Sequence, residues 1–189
     1  MSSATALELP GYLAGTWDID PVHTDVGFVV RHLVVTKVRG RFDAVEGHIV
    51  TAADPLESSL EISIDLGSIS TKNDQRDDDL RSSNFFEVAK YPAMTYRARG
   101  VRQDGDKFVA DGELTLKGVT RVVPLTFEFN GVVTDPWGGT RAGFSAGAQI
   151  NRKDFNVNFD GVQNGVAVVA DKIDIHIEVE AVLRQPEKA

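Results

Sequence analysis

His23 and His32 bracket the alternating run "HTDVGFVVRH", and paired histidines are the first residues in this chain that could do chemistry, as metal ligands or as a general base. Their separation is odd, so on one unbroken strand their rings face opposite ways, about 30 Å apart at ~3.3 Å per residue. They share a metal only if the chain turns between them. His48 and His176 have no histidine at chelate spacing, and no HxH or HxxxH pair exists. The spacing assigns no metal and no cofactor.

"GFSAG", Gly143 to Gly147, matches the G-x-S-x-G elbow that presents a nucleophilic serine, here Ser145, with Asp174 and His176 following in hydrolase order. That motif works only at a strand–turn–helix junction of an α/β sheet. Here Phe144, Ala146, Ala148 and Ile150 alternate through it as in a strand, and no helical period follows. Asp174 and His176, two apart on a polar face, suit a surface pair. A third group is cationic: Lys37, Arg39 and Arg41 with Arg31 just before them, and Arg152 with Lys153. These are either solvated edges or a positive rim for a phosphate or carboxylate head group.

The elements that must position these residues are strands. Leu60, Ile62, Ile64 and Leu66 alternate with Glu61, Ser63 and Asp65. Phe108, Ala110, Gly112, Leu114 and Leu116 do the same, as do Ile173, Ile175, Ile177 and Val179. Such a period of two belongs to antiparallel strands with one wet and one dry face. About eight long strands and a short one at residues 16–20 are predicted, in the range of a sandwich or small barrel. Asp104-Gly105 signals a two-residue hairpin, "DPWGG" (Asp135–Gly139) a looser reversal, and Asn164-Gly165 a loop before the last strand. "TKNDQRDDDLRSSNFFEVAKYP" breaks the pattern. A helical turn or two fits Asn73–Arg81, and Asn84 with Glu87 resembles a capping box stopped by Pro92. Its Leu80, Phe85, Phe86 and Val88 are expected to plug one end of the β core. Residues 1–14 read as a loosely held arm and 15–189 as one domain.

Composition excludes several classes. With 189 residues, 42% hydrophobic and 25% charged, the chain can bury a sizeable core. A net charge of −8 argues against a nucleic-acid partner, which needs basic clusters. The absence of cysteine excludes disulfides, thiolate metal sites and a thiol nucleophile. No apolar run approaches the ~20 residues of a membrane-spanning helix, so no stable membrane insertion is expected. The first residues lack a basic n-region and an apolar h-region, which predicts no secretory signal and a cytoplasmic location.

"WDIDPVHTDVGFVVRHL", "GRFDAVEGHI", "SISTKNDQRDDDLRSSNFFEVAKYPAMTY", "GELTLKGVTRVVPL" and "INRKDFN", in this order, resemble the YceI-like family of lipocalin-like polyisoprenoid-binding proteins. The resemblance implies an all-β fold: an eight-stranded antiparallel barrel with short helices in a crossover capping one end. It also implies a long apolar pocket, and no enzymatic activity. Two positions depart from the family pattern: Asp79 stands where a histidine is common, and Asn156 follows "NRKDF" where glycine is common.

On this reading the ligand is a long-chain isoprenoid or related amphiphile, such as an isoprenoid quinone or a prenyl phosphate, carried, stored or sensed; assembly into a homodimer is left open. Val26, Phe28 and Val30 are expected to face the lumen, with His23 and His32 satisfying polar groups where the strand enters and leaves the barrel. Further wall candidates are Phe42, Ile62, Ile64, Phe85, Phe86, Met94, Tyr96 and Leu114. Phe127, Phe144 and Phe155 complete the apolar set, and Arg152 is the polar candidate beside His32. Small residues, Ala110, Gly112, Ala146 and Ala148, are expected to leave the volume. The competing readings are a lipid or ester hydrolase using Ser145, and a filled barrel with no ligand.

Overall fold

The computed structural model describes residues 8–186. Its strands are β1 (Gly15–Ile19), β2 (Asp25–His32), β3 (Thr36–Phe42), β4 (Val45–Thr51), β5 (Ser59–Asp65), β6 (Ile69–Ser70) and β7 (Ala93–Arg99). There follow β8 (Arg102–Asp104), β9 (Lys107–Leu116), β10 (Val119–Thr134), β11 (Thr140–Asn151), β12 (Val162–Gln163), β13 (Val166–Ala167) and β14 (Val169–Leu183). One α-helix, α1 (Asp74–Arg81), lies in the crossover between β6 and β7.

The strands close into a barrel in the order β1-β4-β5-β7-β9-β10-β11-β14, with β14 pairing back to β1. Every pairing is antiparallel. β14 is long enough to serve two partners: Ala181–Leu183 pair with β1, and Val169–Glu178 with β2. β1 and β2 therefore form one stave broken near Pro21, and β3 and β4 another broken at Asp43-Ala44. That gives the eight staves that the alternation predicts. The break at Pro21 also separates the histidines, because His23 lies in the turn before β2 and not on the strand with His32.

Three local expectations shift. Asp104 pairs with Lys107, so the hairpin turns on Gly105 and Asp106, with Gly105 at φ 64. Asn164 and Gly165 turn a separate ribbon, β12–β13, instead of a plain loop. The crossover holds one helix where two were signalled. Asn73 caps α1 through its side chain, which accepts from the Arg76 amide at 2.8 Å. No helix starts at Asn84, because its side chain donates to Asp79 at 2.8 Å and Glu87 has φ 51. The segment folds as successive turns that push aromatic rings into the barrel end. Phe85 stacks on Phe159 with centroids 5.0 Å apart, and Phe86 meets Phe42 at 6.2 Å.

The expected loose arm is anchored in its second half. The Tyr12 hydroxyl donates to the Ala52 carbonyl at 2.7 Å, and its ring meets Phe129 edge-on. Residues 1–7 of that arm lie outside the described residues.

Candidate functional site

Antiparallel closure turns the dry face of every stave inward, and the inward side chains do not fill the space. A cavity of about 160 Å³ lies in the half of the barrel nearest the β2–β3 turn. For scale, an engineered apolar cavity of about 150 Å³ stays dry and takes up benzene. Val26, Phe28 and Val30 of β2 line it, with Phe42, Ile62, Ile64, Met94 and Leu114 around the ring. Phe85 and Phe86 cap it from the crossover. Phe28 and Val30 are only half-buried although they point inward, as are Ile173 and Ile175 across the β2–β14 seam.

The backbone makes room for this wall at two glycines. Phe28 lies across its register partner Gly40, where a Cβ would come 2.2 Å from the ring. Tyr96 lies across Gly112, where a Cβ would come 2.4 Å from the ring. The Tyr96 hydroxyl sits 2.7 Å from the Val123 carbonyl and 2.9 Å from that of Ala110, and accepts from the Gly112 amide at 3.0 Å. Burial pushes its pKa up to about 12. Tyr96 thus offers its ring to the cavity and keeps its hydroxyl for the backbone.

Not all expected site residues converge here. Phe127 and Phe144 line a second cavity of about 90 Å³ towards the other end, which shares Ile62, Leu125, Ile177 and Val179 with the first. Phe155 is packed in the core and lines neither. His32 lies at the rim beside Val169 and Thr36, outside the cavity lining, and its ring makes no hydrogen bond among the described residues. Arg152 reaches the cavity wall but is 5% exposed. Its guanidinium donates to the carbonyls of Val157 (2.7 Å), Ala170 (3.0 Å) and Val169 (3.3 Å) and to Asp171 (3.1 Å). It is neither a solvated edge nor a free head-group contact; it staples the loop after β11 to β14. Lys153 is engaged by Asp160 at 2.7 Å. Asn156, in the family's glycine position, adopts φ 59, which asparagine tolerates, so the bend survives.

The small residues divide. Ala146 and Ala148 line the cavities, whereas Ala110 is fully covered and Gly112 lies beneath Tyr96. The sequence reading missed Tyr12 and Leu9 in the second cavity, and it left β14 out of the first. The alternation of Ile173, Ile175 and Ile177 was the signal for β14.

A cluster that spacing did not foresee joins Asp20, His23 and Glu180, whose ligand atoms lie within 4.8 Å of one another. His23 Nδ1 is 2.8 Å from Asp20. Arg141 already bridges the acids, with Nη1 2.7 Å from Asp20 and 2.8 Å from Glu180 and Nε 2.8 Å from Asp135. Burial opposes ionisation of Asp20, yet hydrogen bonds from His23, Arg141 and the Val22 amide hold its pKa down at about 2. The acids thus already have a cation, and the group is an ion-pair network. Ser145 lies mid-strand in β11, with its hydroxyl donating to Glu178 at 2.7 Å and accepting from Asn130 at 2.9 Å. Asp174 accepts from Gln149 instead of orienting His176. No elbow forms there.

The family model for the YceI-like domain matches residues 17–181. The chain belongs to the YceI-like family. It is 36% identical over 166 residues to Protein YceI of Escherichia coli O6:H1, covering 87% of this chain and 84% of that one. It is 34% identical over 184 residues to UPF0312 protein plu2095 of Photorhabdus laumondii, covering 96% and 93%. The Campylobacter jejuni YceI crystal structure superposes with a TM-score of 0.69 at 32% identity, over 88% of this chain and 96% of that chain. A polyisoprenoid binding domain from Saccharophagus degradans has the same TM-score over 91% of this chain and all of its own length; at 18% identity that likeness is one of fold.

Proposed function

We propose that this YceI-like barrel binds the tail of a long-chain isoprenoid or similar amphiphile in its lumen, without catalysis, and carries it with the head group at the mouth. The observation that carries this reading is the unfilled apolar wall: Phe28, Val30, Ile173 and Ile175 point inward yet stay half-buried. A filled structural barrel has no reason to leave them so. Burial yields ~0.8 kcal/mol per carbon, so each five-carbon isoprene unit contributes on the order of 4 kcal/mol before the cost of ordering it. The tail supplies affinity and the head group supplies orientation. With Arg152 and Lys153 engaged by protein groups, little selects the head group inside the lumen.

The polyisoprenoid binding domain from Saccharophagus degradans, which shares this fold, supports the choice of tail. Titration with prenyl alcohols of increasing length tests it. Affinity is expected to climb with each unit until the lumen is full and then level off. Binding that is absent, or indifferent to length, rejects the reading. Native mass spectrometry of the purified protein provides a second check through co-purified lipid.

A further inference from the structure

The β2–β3 ribbon ends in a turn, Leu33-Val34-Val35, that suits no hairpin acting only as a hairpin. Leu33 has φ 50 and Val34 φ 65, and a β-branched residue at positive φ is an outlier that asparagine or glycine would avoid. The two valines are held in water, Val34 64% and Val35 79% exposed. Beside them, the Leu33 amide donates to the Val168 carbonyl at 3.0 Å, which brings the tip against the segment leaving the β12–β13 ribbon. That ribbon presents Val162, 67% exposed.

The shaft of the same ribbon carries a second anomaly. Arg31 and Lys37 are register partners, so two cations stand directly opposite on one face, and Arg39 follows two positions along. Like charges in that relation destabilise a sheet. None of the three is in an ion pair among the described residues, while Arg41 below them pairs with Asp43 at 2.8 Å. In a chain of net charge −8, the molecule thus gathers cations without a carboxylate partner among the described residues behind an exposed apolar tip, Arg31 meeting only the Val34 carbonyl at 3.5 Å. The place is the rim of the larger cavity, where Val30 and Val169 line the wall.

We infer that the β2–β3 ribbon docks the mouth of the barrel on an anionic lipid bilayer. The valines enter the interface and the three cations meet lipid phosphates, which sets the end of the barrel capped by Phe85 and Phe86 against the bilayer. The exposed aromatic at the opposite end has the wrong surroundings for this. Trp137 is 86% exposed, but its amide donates to the Asp135 carboxylate, which with Asp20 and Glu180 outnumbers the single Arg141 among them.

Flotation of the full chain with vesicles that contain no isoprenoid tests docking separately from tail binding. The chain is expected to float with phosphatidylcholine–phosphatidylglycerol vesicles, not with phosphatidylcholine alone, and to be released by salt. Arg31→Gln, Lys37→Gln and Arg39→Gln should each lower partitioning about fivefold, and Val34→Ser with Val35→Ser should lower it further. Without vesicles, Arg31→Gln should hold or raise Tm by relieving the repulsion, which shows that lost flotation is not lost folding. Trp137→Ser should float like the parent. Equal flotation with both vesicle types, no flotation at all, or loss through Trp137→Ser with the ribbon variants unaffected would overturn the inference.

Discussion

Around the far end of the barrel, where β10 turns into β11, protein leaves a cavity of about 90 Å³; in the half nearest the β2–β3 turn it leaves about 160 Å³. Trp17, Ala142 and Ala181 pack together at the far end, and the Trp17 indole donates to Thr51 at 2.8 Å. Thr51 in turn donates to the Leu13 carbonyl at 2.7 Å, and Tyr12 closes over Phe129. Both ends obey one inward alternation. What differs is the match of sizes across the lumen. At the far end one large ring meets alanines on neighbouring staves, so the walls close around Trp17 and the space left is smaller. In the half nearest the β2–β3 turn, β-branched residues and phenylalanine face one another beneath Phe85 and Phe86, and a cavity remains between them. Alternation chooses which side is dry, and facing volumes decide whether that side is also full.

The sharpest way to break this comparison is to truncate one ring at each end. Trp17→Ala should cost about 3–5 kcal/mol in urea unfolding, because it empties a closed site and leaves Thr51 without its donor. Phe28→Ala should cost about 1–2 kcal/mol, since its ring is only partly buried and its loss enlarges a space that already exists. Isoprenoid affinity should respond in the opposite order. Equal destabilisation would mean that the mouth is packed like the far end.

A smaller effect tests the strap that ties the far end. Arg141 links the break after β1, the β10–β11 turn and β14 through Asp20, Asp135 and Glu180. Asp20 is depressed in the folded state, so its contribution is fully present above about pH 4 and is lost as pH falls through about 2. Partial solvent screening limits it to about 1 kcal/mol. Asp20→Asn should flatten that part of the acid-side stability profile while leaving tail binding at neutral pH unchanged. An unaltered profile would move the strap elsewhere.

Much of the barrel was legible because the period of two runs almost without fault through β5, β9 and β14, and a one-residue slip there would bury charges. The wall residues of β2 were legible for the same reason. What escaped depended on contacts between segments far apart in the chain. Asn84 and Glu87 match a capping box locally, but Asp79 takes the asparagine. Arg152 reads as a surface cation until the carbonyls of β14 are seen around it. Gly112 and Ala110 read as gaps, and only the chain path shows that Tyr96 and its neighbours occupy them. Asp20, His23 and Glu180 have no common spacing because the last strand supplies the third.

The smallest change in stability belongs to enlargement of the wall itself, and it separates inside from outside most cleanly. In a closed core, Phe28→Trp would overpack by about 1–3 kcal/mol. Beside an open cavity the indole can extend into the lumen, so a loss below about 1 kcal/mol is expected. Gly40 beneath the ring limits movement towards the backbone, and the added volume must go inward. Long-chain ligands should then lose affinity more than short ones, because the indole shortens the space available to the tail. Val29 pairs with Arg39 and Asp174 and points to the other face. Val29→Trp should therefore leave isoprenoid affinity near that of the parent at similar stability. Calorimetric titration of both variants with a short and a long prenyl alcohol makes the comparison. If Val29→Trp abolished binding while Phe28→Trp kept it, the tail would have to lie against the outer face, and the cavity would have some other use.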